Sequence, residues 1–319
     1  MNTSRIPRSL LILYTFVFVL CITNAKAQGC SDAGFCTMGA MKPDQPFNKK
    51  IEFKLRSMEV SFYRGTTTLT PIVYVATADL NFSINNKTSV QVKLPYQFVS
   101  GRLANTSSMG DISLCFTRNV YTSKKFDINA SLGTKIPTNH ADKETQGFPL
   151  PMYYQTSLGS YDAIGGLSLI SRKWLFATGI QIPLTQNDNQ FLWQQWVAEG
   201  GPASEDYIKE YNNSKELLRG IDVMMRVERN WRFSRLNFTL GLLPIYRVKN
   251  DEITGVNGQR VKPDGAKGLA MSVIFTTGYN FNVQSGIKLL IGHKIVQRDF
   301  NPDGLTRELV SSISYYYRF

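Results

Sequence analysis

From about residue 51 onward, apolar and polar residues alternate in short runs instead of recurring every three or four positions. Over 88–99, Val90, Val92, Leu94, Tyr96 and Phe98 share one face, and Gln91, Lys93 and Gln97 share the other. Over 219–230, Ile221, Val223, Met225 and Val227 oppose Asp222, Arg226 and Glu228. Over 231–248, Leu236, Phe238, Leu240 and Leu242 oppose Arg235, Asn237 and Thr239; near 125–136, Ile128, Ala130 and Leu132 oppose Asp127, Asn129, Ser131 and Lys135. A period of two sends successive side chains to opposite faces of a strand. The pattern predicts about twelve strands, over 51–63, 71–84, 88–99, 110–120, 125–136, 158–171, 173–184, 219–230, 231–248, 268–280, 281–297 and 306–319. Each is near or above the roughly 9–11 residues that a tilted strand needs to cross a bilayer.

The connections sort by length. Residues 85–87, 122–124, 171–173, 230–231 and 280–282 read as tight turns. The links at 64–70, 100–109, 137–157, 185–218, 249–267 and 298–305 are mostly longer and rich in Gly, Pro, Asn and charge. Short turns on one side and long loops on the other describe an all-β antiparallel transmembrane barrel of the outer membrane, its turns periplasmic and its loops extracellular. In such a barrel the polar face lines a wet lumen and the apolar face meets lipid. Lys93, Asp111, Asp127, Asp222, Arg226, Glu228 and Arg235 are therefore expected in the lumen. The C-terminal alternation Ile313, Tyr315, Tyr317, Phe319 ends on an aromatic residue, as barrels read by the outer-membrane assembly machinery commonly do.

The N-terminus agrees with export. Arg5 and Arg8 precede an apolar run from Leu10 to Ile22, and Ala25-Lys26-Ala27 offers a small-x-small cleavage site. Residues 1–27 are read as a signal peptide, 28–50 as a periplasmic lead or plug, and 51–319 as the barrel. No later segment approaches about 18 consecutive apolar residues, so a membrane crossing falls to strands. Cys30 and Cys36 can close a small disulfide loop in an oxidising periplasm, or remain free thiols. No His or further Cys lies near them to complete a metal site, and no metal or cofactor is expected.

Charged residues make up 19%, below the roughly 25% of an average soluble protein. The formal net charge is +12, to which Arg5, Arg8 and Lys26 of the signal contribute. For an exported barrel this basic excess points to lipid phosphates, lipopolysaccharide or anionic solutes and not to nucleic acid.

Little in the chain suggests catalysis. Of the two histidines, His140 lies in a long loop and His293 is in phase with Ile287, Leu289 and Ile291, hence lipid-facing. Ser311, in the next strand, comes within a diagonal of it, the arrangement a lipid-face hydrolase would need, but no third orienting group is apparent. The loop at 185–218 is more suggestive. Phe191, Leu192, Trp193, Trp196 and Val197 can form one face of a short helix, which either folds into the mouth as a lid over a ligand or packs on the rim at the lipid–water interface.

Several stretches resemble the family named for the meta-pathway of phenol degradation. Met109 to Leu114 (MGDISL) resembles its Gly-Asp strand opening, Leu132 to Thr138 (LGTKIPT) its Lys-x-Pro-Thr-Gly strand end, and Gly159 to Gly166 (GSYDAIGG) its Gly-Ser-x-Asp strand start. Trp174 to Gly179 (WLFATG) continues in the same manner, so the likeness covers about residues 90–185, with Asn139 in place of the family's glycine. The resemblance implies an outer-membrane barrel related to hydrophobic-solute channels of the long-chain fatty-acid type, whose members admit aromatic or other apolar compounds. It also singles out Asp111 and Asp162, either as groups at the lumen or its mouth or as strand-start acids that bond a turn. The expected function is passive uptake of small apolar or aromatic molecules, with Phe191, Trp193 and Trp196 as ligand or gating residues. The alternative is a closed structural or surface-binding barrel, its lumen blocked by interlocked charges.

Overall fold

Residues 53–319, except 68 and 306, are described by a computed structural model. The expected signal, the lead at 28–50 and the Cys30–Cys36 loop lie outside the described residues.

Ascending from the turn end, β1 (Lys54–Thr66) pairs with β2 (Ile72–Ser83), and β2 with β3 (Thr88–Ser100). The next strand is broken in two: β4 (Asn105–Met109) and β5 (Ile112–Thr122) both pair with β3, on either side of Gly110-Asp111. Then follow β6 (Phe126–Ile136), a loop hairpin of β7 (Glu144–Thr145) and β8 (Phe148–Pro149), and the strands β9 (Asp162–Ser171) and β10 (Trp174–Pro183). After a long loop holding helices α1 (Trp193–Ala198) and α2 (Glu205–Ile208) come β11 (Asp222–Phe233) and β12 (Leu236–Arg247). A second loop hairpin, β13 (Ile253–Thr254) with β14 (Arg260–Val261), precedes β15 (Gly268–Asn280), β16 (Ser285–Val296) and β17 (Leu309–Arg318).

β17 pairs back onto β1 over ten residues, from Ser57 opposite Arg318 to Thr66 opposite Leu309. With β4 and β5 as one bulged strand, the sheet is a closed antiparallel barrel of twelve strands. Closure gives each of the twelve strands a neighbour on either side, the condition for a sheet to exist in hydrocarbon. The outward face carries exposed Phe62, Phe116, Leu132, Leu167, Met225 and Leu240, as a lipid-facing wall requires.

The tight turns follow from local hydrogen bonding. The Lys87 N–H donates to Asn85 Oδ1 at 2.9 Å, the Trp174 N–H to Ser171 Oγ at 3.0 Å, and the Ser285 N–H to Asn282 Oδ1 at 2.7 Å. Such side chains mimic a backbone turn and let the chain reverse in a few residues. One predicted turn is misplaced. Asn230-Trp231 continues β11, and the reversal falls at Ser234-Arg235. Asn230 faces the lumen, where Thr239 Oγ1 donates to its Oδ1 at 2.7 Å, so its polarity marks a wet interior and not a turn. Residues 158–161 and 219–221, expected in strands, belong to loops instead.

Candidate functional site

The lumen contains a cavity of about 500 Å³, lined by inward side chains of β1, β2, β3, β11, β12, β15, β16 and β17. It reaches the turn end at Arg232, Phe233 and Arg318, and its other extremity is lined by Tyr63, Val75 and Val310. Cys115, Ile164, Ala177, Met224, Leu243 and Ile274 form a buried apolar layer from β5, β9, β10, β11, β12 and β15.

Charges of both signs line the cavity and are largely paired. Lys93 Nζ is 3.6 Å from Asp79 Oδ2, while Gln91 Nε2 donates to both Asp79 oxygens, at 2.9 and 2.7 Å. Arg226 Nε donates to Glu228 Oε1 at 2.6 Å, and Lys288 Nζ is 3.7 Å from Glu59 Oε2. Asp79 and Glu59 are central here although the sequence reading did not single them out. The signal was available for Asp79, because Val75, Thr77, Asp79 and Asn81 alternate with Ala76, Ala78, Leu80 and Phe82.

The loop end is closed by a cap. Phe191, Trp196, Tyr207, Ile208 and Tyr211 of the 184–221 loop are buried with Leu150, Tyr153 and Tyr154 of the preceding long loop. The same cluster includes Tyr63, Val73, Val75, Val99 and Val310 from the inner wall. Two side chains that seal the upper end of the cavity, Tyr63 and Val75, thus also bear the cap. The helix packs inward against the loop end of the inner wall and not on the outer rim. Trp196 is turned inward and its indole Nε1 donates to Pro149 O at 2.7 Å. Trp193 is half-buried, with Lys209 Nζ 5.3 Å from its ring centroid, and Val197 is exposed. Phe191 and Leu192 precede the helix, which begins only at Trp193.

Two asparagines stitch the cap together. Asn189 Nδ2 donates to Ala141 O at 2.8 Å and Leu150 O at 3.0 Å, while its Oδ1 accepts from the Phe191 N–H and Ser214 Oγ. Asn187 Nδ2 donates to Leu158 O, and its Oδ1 accepts the Leu217 N–H. Four hydroxyls then latch the cap to the β1–β2 connection. Thr70 bonds Tyr207, Tyr207 Oη lies 2.7 Å from Tyr211 Oη, and Tyr211 Oη lies 3.4 Å from Tyr154 Oη. Burial pushes the Tyr154 and Tyr211 phenols above their ordinary value, so both stay protonated and able to donate.

Below the cap, buried ion pairs join loops to strand ends. Asp111 accepts from Ser157 Oγ and the Leu158 N–H and lies 3.5 Å from Lys135 Nζ. Asp162 is held by Arg219 Nη2 and Gln181 Nε2, and locally by Ser160 Oγ at 3.1 Å. Arg247 reaches Asp222 with Nε and Nη2 at 2.8 and 2.7 Å, Asp251 with Nη1, and Asp303 with Nη2 at 3.0 Å. Asp111 and Asp162 therefore tie loop to barrel over tens of residues, beyond the turn bonding that a strand-start acid alone would suggest.

The remaining expected lumen residues divide. Asp222 is buried against Arg247, and Asp127 is in phase with the inward Asn129 near the turn end. Arg235 is a correction: it lies in the exposed Ser234-Arg235 turn, because β11 runs longer than its alternation alone suggested. His293 and Ser311 both face outward. His293 is opposite Leu309 and Ser311 opposite Ile291, so they are diagonal neighbours. The register partner of His293 on β15 is Val273, and no acid adjoins it among the described residues.

No protein-family model and no curated protein matches the sequence. Solved structures do. An outer-membrane channel from Pseudomonas putida F1 superposes with a TM-score of 0.59 at 12% identity, over 87% of this chain and 100% of that one. The NanC porin gives 0.46 at 10% identity, over 83% and 100%. Outer-membrane phospholipase A from Escherichia coli gives 0.38 at 6%, over 82% and 92%. The likeness to the Pseudomonas channel bears on architecture: with the closed sheet and its sorted connections, this chain has the antiparallel β-barrel fold found in that outer-membrane channel.

Proposed function

We propose that this protein is a lid-gated, passive outer-membrane channel for small apolar or aromatic molecules. The observation that carries the reading is the position of the cap. It rests on the inner-wall residues Tyr63, Val75 and Val310, which also line the loop-side extremity of the lumen cavity. The cavity of about 500 Å³ is within the roughly 300–1,000 Å³ of small-molecule sites. Its upper part, with Tyr63, Val75, Leu290, Ile274 and Val310, offers apolar and ring surface, and its lower part offers paired charges that water can solvate. The resemblance to the phenol meta-pathway family, in the stretches that build the loop end, supports an aromatic or apolar solute.

A second reading is favoured by the Arg247 cluster, which pins the loop end at several points. On that reading the barrel stays closed and its loops bind a partner. Single-channel conductance of the refolded protein in a planar bilayer, with and without residues 186–216, separates the two. A gated channel conducts more steadily after the deletion, and liposomes carrying it admit a small aromatic probe faster. Silence in both forms, with no change in probe flux, would sink the channel reading.

A further inference from the structure

Among the described residues, the outer wall carries one patch of basic and imidazole side chains in its extracellular half. Among the described strand residues there, the outward positions carry a basic or imidazole side chain at two places, Arg64 of β1 and His293 of β16. They flank Ser311 of β17, which is directly opposite Arg64 and diagonal to His293. Neither the Arg64 nor the His293 side chain has a hydrogen bond or ion pair among the described residues. The outward Arg229 near the periplasmic end differs. It is packed against aromatic rings, 4.9 Å from the Trp174 centroid and 5.9 Å from that of Trp231.

Arg64 also borders a groove of about 460 Å³ in the wall. The register explains the groove. Across one row run Ser311, Arg64, Tyr74 and Phe98; across the next run Ile313, Phe62 and Ala76. Ser311 and Ala76 are small among bulky neighbours, so the wall dips between Phe62, Tyr74, Phe98 and Ile313. The result is an apolar trough with a guanidinium, a hydroxyl and an imidazole at its extracellular end.

We infer that this groove binds one phosphorylated, acyl-chained lipid of the outer leaflet, namely the lipid A part of lipopolysaccharide. Its phosphate sits against Arg64, Ser311 Oγ and the His293 ring, and one acyl chain lies along the trough. A guanidinium presents paired N–H donors that match a phosphate, and an imidazole offers an N–H in either protonation state. A basic side chain on a barrel's lipid face is tolerated near the interface and disfavoured at the midplane, and these groups lie near the loop ends of their strands. The inference rests on the fold and on barrel orientation, and stands or falls apart from the channel reading.

The test is native mass spectrometry of the full chain folded in detergent and titrated with bisphosphorylated lipid A, foldedness being checked by heat-modifiable electrophoretic mobility. Arg64→Ala is expected to weaken binding about tenfold, the size of one charge-assisted hydrogen bond. Ser311→Phe fills the trough while leaving Arg64 in place, and is expected to weaken binding as well. Arg229→Ala leaves it unchanged, and dephosphorylated lipid A binds like the Arg64 variant. Should Arg64→Ala misfold, Arg64→Gln takes its place with the same expectation. Wild-type affinity in both Arg64 and Ser311 variants, or equal binding of phosphatidylglycerol and lipid A, would overturn the proposal.

Discussion

Arg247 Nη2 lies 3.0 Å from Asp303 Oδ2, joining the last residue of β12 to the loop before β17. The same guanidinium holds Asp222 at the start of β11 and Asp251 in the next loop, all buried. Removing it strands three carboxylates without their shared cation. Arg247→Met is expected to destabilise the barrel by about 3–5 kcal/mol, the range for breaking a buried pair from one side. Urea unfolding followed by tryptophan fluorescence measures it, and a loss below about 1 kcal/mol would show the cluster to be solvated.

The cluster also sets an acid response. Burial pushes the Asp303 carboxyl up, but Arg247, Arg298 and Arg219 outweigh it and hold it well below its ordinary value of 3.8. A depressed acid stabilises the fold fully above its unfolded value and loses that contribution as pH falls through the folded one. Asp251 is opposite in sign: burial outweighs Arg247 and raises it, so the folded state takes up that proton first and gains stability as pH falls towards 3.8. The cap should hold from neutral pH down to the ordinary carboxylate range and loosen below it. Channel open probability measured against pH should therefore rise only at the acid extreme. A rise between about pH 5 and 7, above the ordinary carboxylate range, would contradict this ordering.

The hydroxyl latch gives a milder lever. Tyr211→Phe removes the group that bonds both Tyr207 and Tyr154 while keeping the ring in the core. A loss of about 1 kcal/mol is expected for such a bond. Brief openings should become more frequent in single-channel records while the melting of the barrel barely moves.

Lumen charge should control ion preference. Lys93→Ala removes the cation 3.6 Å from Asp79 Oδ2, so the cavity becomes more negative. In a channel freed of residues 186–216, the reversal potential across a salt gradient should shift towards cation selectivity. No shift would place the conducting path elsewhere.

Gly159 combines a φ of +68° with a backbone approach in which an added Cβ would lie 2.7 Å from His140 O. Gly159→Ala should cost about 1–3 kcal/mol, as forced backbone conformations do. Protease sensitivity of the extracellular loops would report it, with the loop before β9 cut first.

Much of this was legible in the chain because it is local. Val90, Val92 and Leu94 against Gln91 and Lys93 declare two faces, and Asn85, Ser123, Ser171 and Asn282 declare reversals by bonding their own backbone. Arg226 and Glu228 were placed in the lumen by parity alone, and they are there. Where local signals conflict, the reading slipped. Asn230 looks like a turn residue, yet a lumen rewards the same polarity; the reversal comes four residues later, at Ser234-Arg235, and takes Arg235 out of the interior.

The sequence by itself determined the barrel, its strand number and which end bears turns, since a period of two and short-range turn bonds require no knowledge of distant partners. Only the tertiary structure decided that Trp196 turns inward, that Asp111 meets Leu158, and that Arg247 gathers Asp222, Asp251 and Asp303. Loops carry no period, and their buried groups are fixed by partners tens of residues away. Those partners become neighbours only once the strands have closed into a ring and brought every loop to the same mouth.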